Sequence, residues 1–182
     1  MKKHKAKKHA KKNKGFSLIE LLIVVAIILI IAAIAIPNLL RARIAANQAS
    51  AASGIRTVNT AEVSFQTDFP TVGYSTTLQV LGDPGATCAT AAPKATNACL
   101  IDNSLATAVA APGKSGYLYT YKPDASSNVV VGYEVVANPM KFNSTGVNAY
   151  CSFEDAVVRT DNGSTSGGLT AAACIGTLSA LE

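Results

Sequence analysis

The stretch GFSLIELLIVVAIILIIAAIAIP, residues 15–37, decides the fold. Residues 21–36 carry no polar side chain, and ahead of them only Ser17 and Glu20 interrupt the apolar run that starts at Phe16. At about 1.5 Å per residue, a helix over these twenty-one residues is roughly 31 Å long, close to the thickness of the hydrocarbon core of a bilayer. A soluble helix must turn one face to water, so this stretch predicts a helix that lies in lipid or inside a helix bundle.

The segment ahead of this helix, residues 1–15, is a basic leader that contains eight lysines. On the other flank Arg41 and Arg43 are the nearest positive charges. This imbalance predicts that the N-terminus lies in the cytoplasm and the C-terminus outside. Nucleic-acid binding is the less favoured interpretation, because the leader has no aromatic side chains to stack on bases. Removing the leader leaves eight Lys and Arg against eleven Asp and Glu, which changes the net charge from +5 to −3.

The carboxylate of Glu20 argues against an ordinary secretory signal peptide. Such a peptide has a similar outline, and residues 33–35, Ala-Ile-Ala, could serve as its cleavage site. The apolar run is long for that purpose, however, and a carboxylate at the centre of a span costs on the order of 3 kcal/mol. An acid within a membrane segment is expected to be functional and to have a partner.

Cleavage between Gly15 and Phe16 would supply that partner. Phe16 would then carry a free α-amine, and Glu20 lies four residues further on, one helical turn away. Glu20 can pair with the amine of its own chain or with that of a neighbour in a stack of staggered helices. In surroundings of low dielectric constant such a pair would fix the register between subunits. The alternative is an anchor helix whose Glu20 reaches the interface with water.

These residues resemble the N-terminal signature of type IV pilins and of the related type II secretion pseudopilins. The resemblance rests on the basic leader, on GFSLIE at residues 15–20 and on an apolar helix that reaches Pro37; it covers about residues 12–60. It implies cleavage after Gly15 by a prepilin peptidase that also N-methylates Phe16. It further implies storage in the inner membrane and extraction into a helical homopolymer by an assembly platform with its ATPase. Many type IVa pilins have a glycine midway along the apolar segment, and this chain has none there.

Beyond the apolar segment, residues 38–69 are predicted to continue the helix as an amphipathic half. Pro37 removes one amide donor, but the following segment is rich in alanine, so a kink is expected rather than an end. Gly54 is a weak point within the helix, and the helix is expected to end near Phe69 because Pro70 follows. An apolar stripe at helical spacing is expected to face a core: Ile44, Ala51, Ile55, Val58, Phe65 and Phe69.

Residues 70–182 have a different composition and are predicted to form a β-rich head. Strands are expected at residues 117–122, 129–137, 149–153 and 156–160. A hairpin loop is expected at residues 123–128, with further turns at residues 143–146 and 154–155. The predicted fold class is therefore α+β: one long N-terminal helix, half membrane span and half amphipathic, packed against a small antiparallel sheet. The resembled family has the same layout.

Four cysteines in an exported head favour disulfides. Four cysteines allow three pairings, and the chain has no CxxC motif that would indicate zinc or a redox site. Pairing by proximity in sequence gives Cys88–Cys99 and Cys151–Cys174, and the second of these resembles the C-terminal disulfide loop of type IV pilins. Free thiols remain the alternative.

The sequence offers no set of catalytic residues, and we expect neither an enzyme nor a cofactor or metal. Both histidines, His4 and His9, lie in the leader, and the chain has no tryptophan and no nucleotide-binding or nucleophile motif. Glu154 and Asp155 are expected to lie in a solvated turn. Asp155, Asp161 and Asn162 match no calcium-loop spacing.

Three functions are therefore weighed. The first is a structural subunit of a type IV pilus, which serves adhesion, twitching motility or DNA uptake and is located in the inner membrane before it joins an extracellular filament. The second is the major pseudopilin of a type II secretion system; two candidate disulfides favour the pilus over it. The third is a membrane-anchored binding domain, which would leave Glu20 without a role.

Overall fold

The computed structural model describes residues 15–83, 88, 92–126, 129–161 and 179–180. A single α-helix, α1, runs from Leu18 to Asp68 and includes Pro37 without an end there. Its bounds agree with the predicted helix of residues 16–69. The chain divides into two compact units at Leu39/Leu40, so that α1 contributes to both.

The sheet of the second unit contains five antiparallel strands in the order β1-β2-β3-β4-β5, which is a meander. The strands are β1, Tyr117–Ser126; β2, Val129–Pro139; β3, Ala149–Phe153; β4, Arg159–Asp161; and β5, Ser179–Ala180. Long apolar and tyrosine-rich runs explain β1 and β2, which share ten paired residues. The predicted α+β class is confirmed.

Two strand boundaries differ from the prediction. Residues 123–126 belong to β1 and are not part of a hairpin loop. Pro123 is tolerated because β1 is the edge strand of the described sheet, where a missing amide donor costs least, and a register shift follows between Asp124 and Ala125. The fourth predicted strand, 156–160, is wrong at its start, because Ala156 has a φ of +56° and pairing begins at Arg159. The turns predicted at residues 143–146 and 154–155 are present.

The core lies between the second half of α1 and one face of the sheet. From α1 the predicted stripe supplies Ala51, Ile55, Val58 and Phe65, all buried, whereas Ile44 and Phe69 are only partly buried. From the sheet the buried side chains that share this cluster are Tyr117, Tyr119, Tyr133, Val135, Ala137 and Tyr150. Large aromatic side chains dominate the core, which lets a small sheet bury a large apolar area.

Two short helical segments complete the core on the side of the Cys88–Cys99 loop. A 3₁₀ turn, Leu78–Leu81, and a four-residue helix α2, Asn103–Ala106, bury Leu78, Leu81, Leu105 and Ala106. The sequence analysis predicted neither segment. Asp102 caps α2 by accepting the Leu105 N–H at 3.0 Å.

Candidate processing and assembly site

The predicted cleavage site lies in an exposed, non-helical segment. Gly15 and Phe16 precede the first residue of α1, and the Phe16 side chain is 88% exposed. Apart from its chain neighbours, a β-carbon added to Gly15 would meet no atom of the described residues within 4 Å. The fold itself therefore does not require glycine at this position, and a requirement for it would have to come from an enzyme that binds this segment.

Glu20 has a hydrogen-bond partner within its own chain. Its Oε2 atom accepts the backbone N–H of Ser17 at 2.9 Å, directly before the first residue of α1. This is one half of a capping box, in which the glutamate at the third helical position bonds back to the N-cap residue. The negative charge also lies at the positive end of the helix dipole. The sequence analysis missed this role, although the Ser-x-x-Glu spacing of Ser17 and Glu20 is its signature.

The large apolar side chains of the first half of α1 are exposed along the whole segment. Exposed fractions range from 45% at Val25 to 75% at Leu18. This is the described helix that is long and apolar enough to cross a membrane, with a mean hydropathy of 3.3 in its most apolar window. Pro37 lies inside the helix at the end of this surface. An apolar surface of this size in a soluble chain marks a contact with lipid or with other protein chains.

The cysteines of the head form disulfides where the structure describes them. Cys88 and Cys99 are bonded to each other, as the sequence predicted, and close a loop with a sequence separation of 11. Cys151, in β3, is also disulfide-bonded. Its expected partner, Cys174, lies outside the described residues, so the pairing Cys151–Cys174 stays a prediction.

A buried polar cluster, which the sequence analysis missed, joins α1 to the sheet. The Glu62 carboxyl is fully buried. Its Oε1 atom accepts hydrogen bonds from the hydroxyls of Ser75 at 2.5 Å and Tyr121 at 2.6 Å. Its Oε2 atom accepts one from the Ser75 N–H at 3.0 Å. One turn earlier, Asn59 accepts the Tyr133 hydroxyl at 3.0 Å. Burial raises the pKa of Glu62, against hydrogen bonds from Ser75 and Tyr121 that lower it. The signal in the sequence for this cluster is the pair Asn59 and Glu62, which lie three residues apart on α1 next to the apolar stripe.

Of the two adjacent acids in the turn after β3, Asp155 has a local partner. Asp155 forms an ion pair with Arg159, with Nη2 and Oδ2 2.5 Å apart. Hydrogen bonds from Arg159 lower the pKa of Asp155, and partial burial opposes them. Glu154 is exposed in the same turn. Within the described ranges no group of three or more His, Cys, Asp or Glu could hold a metal ion.

The second unit is an α+β head with its own core. The first half of α1 exposes an apolar surface, and the start of the helix is capped by Glu20. Comparisons with known proteins agree with this class. A family model described as a prokaryotic N-terminal methylation motif matches residues 10–36. The resemblance of the N-terminal segment is therefore confirmed.

Two relatives are similar to the N-terminal part of the chain. The type IV major pilin protein PilA of Myxococcus xanthus is 50% identical over 54 residues, which are 30% of this chain and 24% of that protein. The type IV wide pilus major component PilA4 of Thermus thermophilus is 74% identical over 34 residues, 19% of this chain and 26% of that protein. The chain thus matches about a quarter of the length of these curated relatives. No solved structure matches it significantly.

Proposed function

We propose that this chain is a precursor of a structural subunit of a type IV pilus, and not an enzyme. The observation that carries the proposal is the combination of an exposed apolar helix, a Glu20 at its capped start and an accessible Gly15–Phe16 bond directly ahead of it. Both of these relatives are major pilus components by their names. Assembly into a filament of identical subunits accounts for the exposed apolar side chains of the first half of α1.

In this proposal a prepilin peptidase removes residues 1–15 and methylates the new N-terminus at Phe16. Before assembly the apolar half of the helix lies in the inner membrane with the leader in the cytoplasm. An inner-membrane assembly platform and its ATPase then extract the subunit. The leader must be removed first, because eight lysines at the tip of the helix would oppose packing in an apolar filament core.

In the mature subunit Glu20 has two possible partners. One is the Ser17 N–H that it accepts within its own chain. The other is the α-amine of Phe16, its own or that of a neighbouring subunit. We propose that the charge of Glu20 selects the register between subunits by pairing with the amine of a neighbour, because an unpaired charge in a dry interface is costly.

The N-terminus of the purified protein tests this proposal. Mass spectrometry of the filament fraction should find a chain that starts at N-methylated Phe16. A start at Met1 would instead support a membrane-anchored binding domain, and a start after Ala35 would support a secreted protein. The Gly15→Leu variant should remain uncleaved and should not assemble. Because a β-carbon at this position would meet no described atom within 4 Å, the head of this variant should unfold at the same denaturant concentration as that of the wild type.

A type II secretion pseudopilin is the second candidate, since it would use the same N-terminal segment. The disulfide Cys88–Cys99 and the names of the relatives favour the pilus. Deletion of the gene separates the two functions. Loss of surface filaments, twitching motility or DNA uptake with normal exoprotein release would support the pilus, whereas loss of exoprotein release alone would support the pseudopilin.

A further inference from the structure

The cluster of Glu62, Ser75 and Tyr121 contains more hydrogen-bond acceptors than hydroxyl protons. The Ser75 hydroxyl lies 2.5 Å from Glu62 Oε1 and 3.2 Å from the carbonyl oxygen of Thr77. The Tyr121 hydroxyl lies 2.6 Å from Glu62 Oε1, 3.0 Å from the Ser75 carbonyl oxygen and 3.0 Å from the Ser75 hydroxyl. Each hydroxyl has one proton to donate, so two protons face three different acceptor groups.

One additional proton satisfies this set without moving a heavy atom. When Glu62 is ionised, both hydroxyls donate to its carboxylate, and neither donates to the Thr77 or Ser75 carbonyl. When Glu62 is protonated, it can donate to the Ser75 hydroxyl. Ser75 then donates to the Thr77 carbonyl and Tyr121 donates to the Ser75 carbonyl. In both states the Ser75 N–H remains bonded to Glu62 Oε2.

Among the described residues, no positively charged side chain acts on Glu62; the influences on its pKa are burial and hydrogen bonds from Ser75 and Tyr121. The titratable groups that face it are Tyr121 from β1 and Tyr133 from β2, and Tyr74, from the segment after α1, packs on Tyr133. Glu154 and Asp155, in the turn after β3, are close enough to act on Tyr133, and they are themselves acids. Within the described part of the chain no lysine or arginine forms an ion pair with Glu62. Arg56 and Asp68, also on α1, are exposed.

We infer that Glu62 is a proton switch inside the head. On acidification Glu62 takes up one proton from solvent. The Tyr121 hydroxyl then donates to the Ser75 carbonyl oxygen, in the segment after α1, instead of to Glu62 in α1. The heavy atoms keep their positions in both states, the hydroxyls exchange their acceptors, and the acidic state has no buried charge at Glu62. Because the folded state then binds this proton more tightly than the unfolded chain does, the Glu62 contribution to stability increases as the pH falls.

Unfolding of the full chain in detergent micelles tests this inference. The Glu62→Gln variant reproduces the neutral form, since its amide can accept the Ser75 N–H and donate to the hydroxyls. The wild type should unfold at a lower denaturant concentration than this variant at about pH 8, and the gap should narrow as the pH falls toward 4.5, the ordinary pKa of glutamate. The matched control Glu154→Gln, on an exposed glutamate, should follow the wild type throughout. A gap that stays constant over this range would overturn the inference.

A second measurement does not depend on whether Glu62→Gln folds. Infrared spectroscopy of the full chain should detect the C=O band of a buried protonated carboxyl at pH values above 4.5, the ordinary value for glutamate. In Tyr121→Phe the carboxylate loses a donor, so the band should persist to higher pH than in the wild type. Absence of the band from the wild type at every pH above 4.5 would contradict the switch.

This inference does not rest on the proposed function. Cleavage and filament assembly depend on the N-terminal half of α1, whereas the switch lies in the second unit. A negative result for the N-terminus of the mature chain would therefore leave the proton switch intact, and the reverse also holds.

Discussion

The hydroxyl of Tyr119 lies against the backbone of α1 at Gly54, in the space that a β-carbon there would fill. The same hydroxyl donates to the carbonyl oxygen of Ala51 at 3.3 Å. The glycine in the middle of the helix thus makes room for the Tyr119 side chain of β1 against the helix backbone. Its cost to helix propensity is offset by the burial of a tyrosine that is 1% exposed.

Gly54→Ala should therefore destabilise the head, although alanine is the better helix former. Overpacking costs about 1–3 kcal/mol, against about 1 kcal/mol gained in helix propensity. Chemical denaturation should show a net loss, and Tyr119→Phe should relieve most of it, because the hydroxyl makes the closest contact. Gly132→Ala in β2 is a matched control, since its added carbon would make only ordinary contacts. Equal stability of Gly54→Ala and the wild type would refute this packing argument.

The charge of Glu20 and its capping bond can be separated by two substitutions. Glu20→Gln keeps an acceptor for the Ser17 N–H but removes the charge, whereas Glu20→Ala removes both. If the charge selects the register, both variants should insert and be cleaved normally, and both should give few filaments by electron microscopy and shearing yield. Normal filament yield from Glu20→Gln would show that capping is sufficient and that pairing with an amine is not needed.

Stability in acid should depend on Asp102. Partial burial acts to raise the pKa of this group, but hydrogen bonds from Lys114, Ser104 and the Leu105 amide, together with the charge of Lys114, lower it to about 2. A lowered pKa in the folded state means that the contribution of Asp102 is present above the ordinary value of 3.8 and is lost as the pH falls toward 2.

Asp102→Asn keeps a good N-cap residue for α2 and removes the charge. We expect the wild type to be the more stable protein at about pH 5 and the difference to disappear at about pH 2 in thermal unfolding. Lys114→Met, which removes the positive partner of the ion pair, should reduce the change in thermal stability between about pH 5 and about pH 2. A difference that does not change with pH would mean that the ion pair is not its source.

Loss of the Cys88–Cys99 bond should lower the stability of the head. In the chain-entropy model, a disulfide that closes a loop of this length raises the free energy of unfolding by about 3 kcal/mol. The double variant Cys88→Ser/Cys99→Ser should therefore unfold at a lower denaturant concentration than the wild type under non-reducing conditions. Under strong reducing conditions the two proteins should differ much less, and a difference that persists would point to lost packing instead.

Much of the fold follows from patterns that extend over many residues. The apolar run before Pro37 and the stripe that contains Ile55 and Phe65 gave α1 to within one or two residues at each end, because helical periodicity repeats over many turns. The strands β1 to β3 followed from β-branched and aromatic runs. Pro123 was assigned to a loop, because the sequence does not reveal that β1 is an edge strand, where proline is tolerated.

The parts of the site that the sequence analysis missed depend on partners distant in sequence. Glu62 and Ser75 are 13 residues apart, and Glu62 and Tyr121 are 59 residues apart. No pattern in one amino-acid sequence indicates that these side chains are in contact in the fold. By contrast, the bond between Ser17 and Glu20 spans three residues and was open to prediction from a known spacing.

The capping bond at the start of α1 also bears on how a maturation enzyme would meet this chain. Both of its residues, Ser17 and Glu20, lie downstream of the Gly15–Phe16 bond. Hydrolysis of that bond would discard fifteen residues without releasing the first helical turn. A protease could thus cut at this bond while the first turn of α1 keeps its hydrogen bond and remains helical.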